Sequence, residues 1–306
     1  MSSDYIQANS NGRLHDAREA AVSPLNRGYL YGDAIYEVWR TYDLVLFAWE
    51  KHWQRLQRSA AALHLALPWS ADFMLTEIKR TAFAWRRQTG QAVELYVRLQ
   101  VTRGGGPIGL DPGLADQPDY VLLVQPNRGL PPEKLEHGYV LSVEHALRRN
   151  PPDALNPAWK TGNYLNNVLG LRAARARGAD EVLMLNLQGE ITEASTSNIA
   201  FVRDGSIHTP PLSAGILGGV TRALLMEEIA PRAGFAMRET SLTPDDLAGM
   251  EEACMLSTTR DLAPVAAIDG HRFRVDASTV TRRLKSAFAD FAHEHGRRHP
   301  ELRLDQ

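Results

Sequence analysis

The chain has 306 residues, of which 44% are hydrophobic and 23% are charged, and this composition is typical of a globular protein with room for two domains. Its formal net charge of -2 argues against a nucleic-acid partner, because binding a phosphate backbone requires a concentrated excess of Lys and Arg. No apolar stretch approaches the roughly 20 residues that a membrane span needs, so we expect a soluble protein with no membrane partner.

Cysteine usage and the opening residues indicate the compartment. The only cysteine, Cys254, cannot form an internal disulfide, and residues 1–7 have neither the basic end nor the apolar run of a secretory signal. We therefore expect a cytoplasmic protein. The ten histidines are scattered without the spacing of zinc ligands, so we expect no metal site.

The first half of the chain changes between helical and strand patterns. Apolar residues recur at spacings of three and four over residues 50–67, which predicts a helix with Arg55 off its apolar face. Residues 92–102 alternate between apolar and polar side chains, which predicts a half-buried strand. Residues 120–124 predict a second strand.

A segment rich in proline and glycine follows this second strand and indicates a linker between domains. We place a small N-terminal α/β domain at residues 1–126, the linker at 127–136 and a larger C-terminal domain, which carries Lys160, at 137–306. The repeated change of period predicts a mixed fold of the α/β (α+β) class.

The second half predicts the same mixture of elements. A strand at 139–143 leads into a proline-rich loop that cannot be helical, and a helix at 165–176 follows that loop. This helix is closed by Gly178. Further strands are predicted at 181–187, 191–202, 251–257 and 264–268, and further helices at 219–230 and 276–294.

Residues 104–109 have the glycine spacing of a dinucleotide-binding motif and follow a predicted strand. Pro107 and the Asp-Pro-Gly that comes after the motif forbid the helix whose N-terminus would hold a pyrophosphate. We therefore predict a turn at this position.

Lys160 begins the run Lys-Thr-Gly-Asn-Tyr-Leu-Asn-Asn and offers an amine one helical turn before the phenol of Tyr164. Such an amine would hold an aldehyde cofactor as a Schiff base, while the phenol would hydrogen-bond the ring oxygen of the cofactor. Most lysines are solvated surface charges, so this pair becomes informative only beside other groups of matching chemistry.

Three other groups suit a phosphorylated pyridine. Residues 218–222, Gly-Gly-Val-Thr-Arg, open a helix whose free N–H groups, positive end and Thr221 hydroxyl would bind a phosphate. Arg55 would add a bidentate clamp. Glu193 lies at a strand end, where its carboxylate would favour a protonated pyridine nitrogen and so a stronger electron sink. The alternatives are an ordinary helix start and two exposed charges.

Together these segments resemble the class IV pyridoxal-phosphate aminotransferases, the enzymes of fold type IV, over about residues 20–290. That family includes branched-chain amino acid aminotransferases, D-amino acid transaminases, (R)-amine transaminases and aminodeoxychorismate lyases. The motifs that carry the resemblance are Tyr-Gly-Asp-Ala-Ile-Tyr-Glu at 31–37, Arg55-Leu56 with Ser59-Ala60, Lys160 with Asn163-Tyr164-Leu165, Glu193 with Ser197-Asn198, and Gly219-Val220-Thr221-Arg222.

The resemblance implies a small α/β domain followed by a larger domain with a β-barrel-like sheet, and pyridoxal 5'-phosphate as cofactor. It implies Lys160 as the catalytic Schiff-base lysine, Tyr164 near the phenolic oxygen and Glu193 at the pyridine nitrogen. The residues implied to hold the phosphate are Arg55, Val220, Thr221 and Thr258. The residues implied to lie beside the substrate are Tyr36, Tyr96, Arg98, Thr259 and Arg260, with Tyr31 reaching in from a neighbouring subunit, because family members are homodimers with shared active sites.

The implied reaction moves an amino group from an amino acid to a 2-oxo acid such as 2-oxoglutarate. Tyr96-x-Arg98 resembles the strand that helps place the substrate carboxylate in branched-chain aminotransferases, and the loop after Gly104 lacks the Arg-x-His of D-amino acid transaminases. Both features favour a branched-chain or related apolar L-amino acid. Residues 36–38 are similar instead to the D-amino acid enzymes, and residues 193–198 to many lyases. The alternatives are therefore a D-amino acid or (R)-amine transaminase and an aminodeoxychorismate lyase.

Arg260 stands in Ser-Thr-Thr-Arg-Asp, residues 257–261, where branched-chain enzymes usually carry a small residue. If its side chain points inward, it would pair with the second carboxylate of glutamate or 2-oxoglutarate. If it points outward, it is a surface arginine beside Asp261. The sequence leaves both orientations open.

Overall fold

The computed structural model describes residues 5–305, and the chain divides into two compact units. Unit 1 comprises Met1–Arg128, Trp159–Asn163 and Ala292–Gln306, and unit 2 comprises Gly129–Ala158 and Tyr164–Phe291. This partition differs from the predicted division near residue 127 because two later segments, one of them containing Lys160, group with the N-terminal unit.

Unit 1 is built on an antiparallel six-stranded sheet. Its strands are β1 (Gln7–Ser10), β2 (Arg13–Asp16), β3 (Ala34–Tyr42), β4 (Val45–Leu46), β5 (Leu95–Thr102) and β6 (Asp119–Pro126), and its helices are α1 (Arg27–Tyr31), α2 (Trp49–Ala62) and α3 (Ala71–Thr89). The strand order is β2-β1-β6-β5-β3-β4. A single cluster of buried apolar side chains, including Trp39, Leu56, Ile78 and Leu99, joins α2 and α3 to the sheet.

The predicted elements of unit 1 exist, with different ends. The helix predicted at 50–67 ends at Ala62, because Leu63 caps it and His64 adopts a left-handed φ of 49°. The strand predicted at 92–102 begins at Leu95, and its even-numbered and odd-numbered residues alternate in burial as the pattern requires. Residues 104–109 form a loop without helix, as predicted.

Unit 2 is built on a second, larger sheet. Its elements are α4 (Pro132–His137), β7 (Tyr139–Glu144), α5 (Leu165–Ala176), β8 (Glu181–Leu185), β9 (Ile191–Ala194), β10 (Asn198–Arg203), β11 (Ser206–Thr209), α6 (Val220–Leu224), α7 (Ala230–Arg232), β12 (Met237–Glu239), β13 (Glu252–Ser257), β14 (Asp261–Ile268) and β15 (His271–Arg272). A π-helical turn, Leu225–Ile229, joins α6 to α7, and α8 (Val280–Arg298) follows β15. Short 3-10 turns lie at Pro112–Leu114, Leu212–Ala214, Pro244–Gly249 and Pro300–Leu302.

The sheet of unit 2 is curled. Its strand order is β12-β11-β10-β13-β14-β7-β8-β9, with β15 paired to β14. β9 and β10 are separated by only residues 195–197 in the chain, yet β9 ends the order and β10 is third from the other end. The sheet therefore curves back on itself into a half-barrel, which agrees with the expected β-barrel-like sheet.

The prediction of one strand over residues 191–202 is wrong. The strand breaks after Ala194, whose N–H donates a hydrogen bond to the carbonyl of Ser197 (2.8 Å) and closes a tight turn of small residues. The helix predicted at 165–176 has those bounds. The last helix begins at Val280, four residues later than predicted, because the carboxylate of Glu252 accepts the N–H groups of Val280 and Thr281 there.

Each unit has its own apolar core. In unit 2 the core packs against the curled sheet and includes Leu183, Ile199, Phe201 and Val265. Among residues 5–305, no helix combines the length and the apolar character that crossing a membrane would require. Within the same residues, no group of three or more His, Cys, Asp or Glu side chains is arranged to hold a metal ion.

Candidate active site

Lys160 lies in an extended segment that pairs with the first residues of β3. The N–H of Tyr36 donates to the carbonyl of Lys160 (2.9 Å), and the N–H of Gly162 donates to the carbonyl of Ala34 (3.3 Å). The N–H of Lys160 donates to the hydroxyl of Ser59 on α2 (3.1 Å). The backbone of Lys160 is therefore held between a strand and a helix of unit 1.

The predicted helical spacing of Lys160 and Tyr164 is wrong. α5 begins at Leu165, Tyr164 is its N-cap, and Lys160 precedes the helix. The physical cause is an isolated antiparallel bridge between Thr161 and Ile35, which keeps this segment extended. Tyr164 itself belongs to unit 2.

The ring of Tyr36 contacts two cations of unit 1. The Nζ of Lys160 lies 4.4 Å from the centroid of this ring, and the Cζ of Arg98 lies 3.9 Å from it. Arg98 and Tyr96 lie on β5 opposite Val38 and Arg40 of β3, so they share the face of the sheet that carries Tyr36. The structure thus brings together Lys160, Tyr36 and Arg98, three residues that the resemblance assigns to the site.

Beneath this face lies a buried cluster of Glu37, Arg55 and His52. The carboxylate of Glu37 has no exposure to solvent. It accepts hydrogen bonds from the Nε of Arg55 (2.7 Å) and the NH2 of Arg55 (2.9 Å), and it contacts the Nδ1 of His52 (2.8 Å). A bidentate pair of this kind fixes both position and plane of the guanidinium.

The pKa values of the cluster follow from these contacts. Burial disfavours the ionised form of Glu37, but the charge of Arg55 and the hydrogen bonds from Arg55 and His52 outweigh it, so the pKa of Glu37 lies well below its usual range. Burial lowers the pKa of His52, and the charges of Arg55 and Lys160 lower it further, against the opposing effect of Glu37. His52 is therefore neutral at neutral pH.

The expectation that Arg55 lies off the buried face of its helix is wrong. Arg55 is 5% exposed, and its Nε–NH2 edge is engaged by Glu37, so this edge does not offer a bidentate clamp to a phosphate. The three buried polar residues of α2 are His52, Arg55 and Ser59, at the spacing of one helix stripe. That spacing is a signal that reading the apolar residues alone missed.

Glu193 lies in unit 2, and three groups donate hydrogen bonds to its carboxylate. Its Oε1 accepts from the NH2 of Arg149 (2.7 Å), and its Oε2 accepts from the Nδ2 of Asn198 (3.1 Å) and the N–H of Leu217 (3.2 Å). Arg149 also donates to Asn167 of α5 (3.1 Å). Glu193 is therefore a buried, oriented carboxylate and not an exposed strand end. No motif in the sequence points to Arg149, which stands in the proline-rich loop before Lys160.

The segment that was predicted to bind phosphate begins α6 as expected. Gly219 is the N-cap, and Val220 and Thr221 are buried behind it. Among the described residues no side chain caps this helix start. A Cβ at Gly219 would collide with the Oδ1 of Asn198, the residue that also donates to Glu193, so any larger residue here would displace the Asn198 side chain.

Thr258, Thr259 and Arg260 form the turn between β13 and β14. The guanidinium of Arg260 lies 5.5 Å from the ring centroid of Tyr139 on β7, and the Nζ of Lys285 donates to the carbonyl of Arg260 (3.1 Å). Arg260 is therefore directed at Tyr139, a residue that the sequence did not connect with the site.

Comparisons with known proteins decide the family. The family model described as amino-transferase class IV matches residues 34–268, more than half of the chain. The chain belongs to the class IV aminotransferases. Enzymes of this class use pyridoxal phosphate.

Three similar proteins illustrate the range of the class. The chain is 34% identical over 281 residues to a putative branched-chain-amino-acid aminotransferase of Methanocaldococcus jannaschii, covering 92% of this chain and 94% of that protein. It is 32% identical over 278 residues to the D-alanine aminotransferase of Bacillus licheniformis, covering 90% and 94%. It superimposes with a TM-score of 0.84, at 25% identity and 97% coverage of both chains, on the T.th. branched-chain amino acid aminotransferase complexed with N-(5'-phosphopyridoxyl)-L-glutamate.

Replacing Glu37 with Gln is expected to destabilise the class IV aminotransferase by about 3 kcal/mol at neutral pH, because the charge of Arg55 then stays buried without its counter-ion. Since the folded pKa of Glu37 lies below the usual 4.5, its contribution is fully present above that pH and is lost only as the pH falls through the folded pKa. Urea unfolding of the cofactor-free protein should therefore show a constant difference from the unsubstituted protein between about pH 8 and about pH 7, and a larger one below the usual His pKa of 6.5, because Glu37 no longer opposes the lowering of the His52 pKa.

Glu50→Gln is the matched control, because Glu50 lies exposed in the first turn of the same helix. This control should change stability by less than about 0.5 kcal/mol. A loss below about 1 kcal/mol in Glu37→Gln would mean that the cluster does not anchor α2 on β3.

Proposed function

We propose that this class IV aminotransferase uses pyridoxal 5'-phosphate to move an amino group from a branched-chain or related apolar L-amino acid to a 2-oxo acid such as 2-oxoglutarate. The observation that carries the proposal is the contact of the Tyr36 ring with both Lys160 and Arg98. An amino acid whose amine is processed at Lys160 would have its carboxylate within reach of the Arg98 guanidinium. Arginine suits that task because its planar fork matches a carboxylate.

The relatives support this choice of substrate. One of them is named a putative branched-chain-amino-acid aminotransferase, and the T.th. branched-chain enzyme was solved with a phosphopyridoxyl derivative of L-glutamate. L-glutamate is the amino acid that 2-oxoglutarate becomes when it accepts an amino group. The loop after Gly104 carries no Arg-x-His, which the resemblance associates with D-amino acid enzymes.

The residues of the chain fit the cofactor. The start of α6 has no side-chain cap, Val220 and Thr221 are buried there, and a Cβ at Gly219 would collide with Asn198, so the first backbone N–H groups of this helix would suit a phosphate. Glu193 presents a buried carboxylate with its orientation fixed by three donors. When bound, pyridoxal phosphate supplies an aldehyde that captures amines and a ring that accepts an electron pair.

The roles of the individual residues follow from this fit. Lys160 would bond to the cofactor and, when displaced by the substrate amine, would carry the proton removed from the substrate α-carbon. Tyr164 would contact the phenolic oxygen, and Glu193 would hold a proton on the ring nitrogen. The remaining cofactor contacts, all to the phosphate, would come from Val220, Thr221 and Thr258, and from Arg55 only through an edge of its guanidinium other than the one that Glu37 engages. Tyr36, Tyr96, Arg98 and Thr259 would line the substrate.

A D-amino acid transaminase is the second candidate function. It is favoured by the D-alanine aminotransferase of Bacillus licheniformis, which is nearly as similar as the branched-chain relative, and by the similarity of residues 36–38 to D-amino acid enzymes. Both candidates share the cofactor and Lys160. They differ in which face of the substrate α-carbon meets the lysine.

Single-turnover spectroscopy of the bound cofactor tests the proposal directly. The protein, loaded with pyridoxal phosphate, is mixed with each member of a panel of L-amino acids, D-amino acids, (R)-amines and aminodeoxychorismate. We expect L-leucine, L-isoleucine or L-valine to convert the cofactor to its aminated form fastest, and 2-oxoglutarate to restore it. Fastest conversion by D-alanine would replace the proposal with the second candidate, and pyruvate release from aminodeoxychorismate without an acceptor would indicate a lyase.

In the same assay Lys160→Ala should lower the rate by roughly 10³-fold or more, because the proton carrier is lost. Glu193→Gln should lower it by roughly 10²-fold, because a neutral amide stabilises the protonated ring poorly. Lys79→Ala is the control and should react normally, because Lys79 lies on α3 and donates to the carbonyl of Glu301. Borohydride reduction followed by peptide mapping should locate the pyridoxyl label on Lys160, and a label elsewhere would refute its role.

Arg260→Ala is expected to leave the KM for 2-oxoglutarate within about twofold, because Arg260 is directed at Tyr139. Steady-state kinetics with a fixed amino donor measures this. Arg98→Ala provides the comparison and should raise the same KM by about tenfold or more, since it removes the proposed carboxylate contact. A similar rise in Arg260→Ala would return Arg260 to the substrate site.

We further propose that the enzyme is a homodimer in which Tyr31 contributes to the neighbouring active site. In support, Leu165 (71% exposed), Val168 and Leu169 form an exposed apolar stripe on α5, a feature that marks interaction surfaces. Leu165→Arg should weaken the dimer measurably in light scattering coupled to size exclusion, whereas Leu187→Arg, at an exposed turn, should not. A monomeric unsubstituted protein would remove Tyr31 from any shared site.

A further inference from the structure

Arg27 is a buried arginine that the proposed chemistry does not use. It is the first residue of α1 and is 4% exposed. Its N–H donates to the carbonyl of Gly104 (2.8 Å), where the loop 104–111 begins. Its side chain donates to backbone carbonyls at the other end of this loop. One residue therefore holds both ends of the segment 104–111, which follows β5.

Three successive carbonyls of that loop converge on the guanidinium. The NH1 of Arg27 donates to the carbonyls of Gly109 (2.7 Å) and Asp111 (3.3 Å), and the NH2 donates to the carbonyl of Leu110 (2.9 Å). Only a planar group with several fixed donors satisfies three carbonyls at once. The ammonium of a lysine is a compact point charge and does not reproduce this pattern.

The two large apolar side chains of the loop do not hold it within this chain. Ile108 is 76% exposed and Leu110 is 79% exposed. At the base of the loop Gly104 has a φ of +92°, and a Cβ there would collide with the carbonyl of Gln117. The conformation of residues 108–111 therefore depends on hydrogen bonds to its backbone.

Asp33 binds the Nε of Arg27, the guanidinium nitrogen that the loop carbonyls do not use. Its carboxylate accepts from the Nε of Arg27 (3.1 Å) and from the Nε of Arg103 (2.8 Å). Arg103 also donates to the carbonyls of Leu63 and His64 at the end of α2 (both 2.9 Å). Burial would raise the pKa of Asp33, but its contacts with the two arginines lower it, so Asp33 stays ionised at neutral pH.

Tyr31 is coupled to the same loop. Its hydroxyl accepts the N–H of Gly109 (3.0 Å), and its ring centroid lies 5.0 Å from the guanidinium of Arg27. The phenol and the loop backbone therefore share one arrangement. Moving either one breaks the hydrogen bond of the other.

We propose that Arg27 is a positioning residue for substrate binding, which fixes the segment 108–111 and the hydroxyl of Tyr31 in a single arrangement. The substrate part of this inference rests on the proposed function, in which Tyr31 contacts the substrate of the neighbouring subunit. Asp33 and Arg103 support Arg27 from the side away from the loop. The role is mechanical, since Arg27 donates to the backbone of the loop and holds Tyr31 through Gly109.

Hydrogen exchange of the enzyme loaded with pyridoxal phosphate tests the mechanical part. In Arg27→Lys, the amide of Gly109 and its loop neighbours should exchange at least about tenfold faster than in the unsubstituted protein, because the local opening free energy falls. Arg13→Lys is the matched control, since Arg13 makes an exposed ion pair with Glu19. In this variant the segment 104–111 should exchange at the normal rate. Unchanged exchange in Arg27→Lys would overturn the proposal.

Steady-state kinetics tests the positioning part. Arg27→Lys should raise the KM for the amino donor by about fivefold or more and change kcat by less than about threefold, while the Kd for pyridoxal phosphate stays the same. Faster exchange with an unchanged KM would mean that the loop does not position substrate, which also overturns the proposal. Wild-type protein that converts no amino donor would refute the proposed function. The exchange result would still show whether Arg27 fixes the segment 108–111.

If Arg27→Lys does not fold, Tyr31→Phe carries the test. It removes only the acceptor of the Gly109 N–H and leaves the three carbonyl contacts of Arg27 in place. The amide of Gly109 should then exchange faster, and the KM for the amino donor should rise. A loop and a KM that both stay unchanged would refute the coupling between Tyr31 and the segment.

Discussion

The buried ion pair between Glu37 and Arg55 is the contact on which the lysine-bearing half of the site depends. A carboxylate without exposure to solvent is stable only when its charge and lone pairs are matched, and Arg55 and His52 supply that match. Because a shifted helix would leave the charge unpaired, α2 has one favourable register on β3. That register sets Ser59, one turn further along α2, against the backbone N–H of Lys160.

The same principle recurs at two other segments where the backbone leaves regular structure. Three buried or half-buried carboxylates, Glu37, Glu193 and Asp33, each bind an arginine. The segments near them, at 160–163, 217–219 and 109–111, lie outside helices and strands. Such segments lack a full ladder of backbone hydrogen bonds, and side-chain donors and acceptors replace it. Hydrogen bonds with side chains thus hold the backbone in these three segments.

Much of the fold could be predicted from the periodic spacing of apolar residues. The alternation over β5 and the stripe on α2 predicted both elements, because one face of each packs on the core of unit 1. The end of α2 and the start of α8 were less accurate, since the left-handed His64 and the capping Glu252 are conformational or tertiary features without a periodic signal. The break at residues 195–197 was missed because its neighbours on both sides have strand patterns, and the turn depends on one hydrogen bond between Ala194 and Ser197.

The sequence by itself determined the chemistry: an amine at Lys160 in a distinctive run, a glycine-rich helix start at 218–222, and a carboxylate at Glu193, which together pointed to the family. Only the tertiary structure decided what each group binds. Arg55 meets a carboxylate 18 residues away, Glu193 meets an arginine 44 residues away, and Lys160 meets a hydroxyl 101 residues away. Local patterns encode which face of an element is buried, but the partner that compensates a buried charge is chosen when distant elements pack.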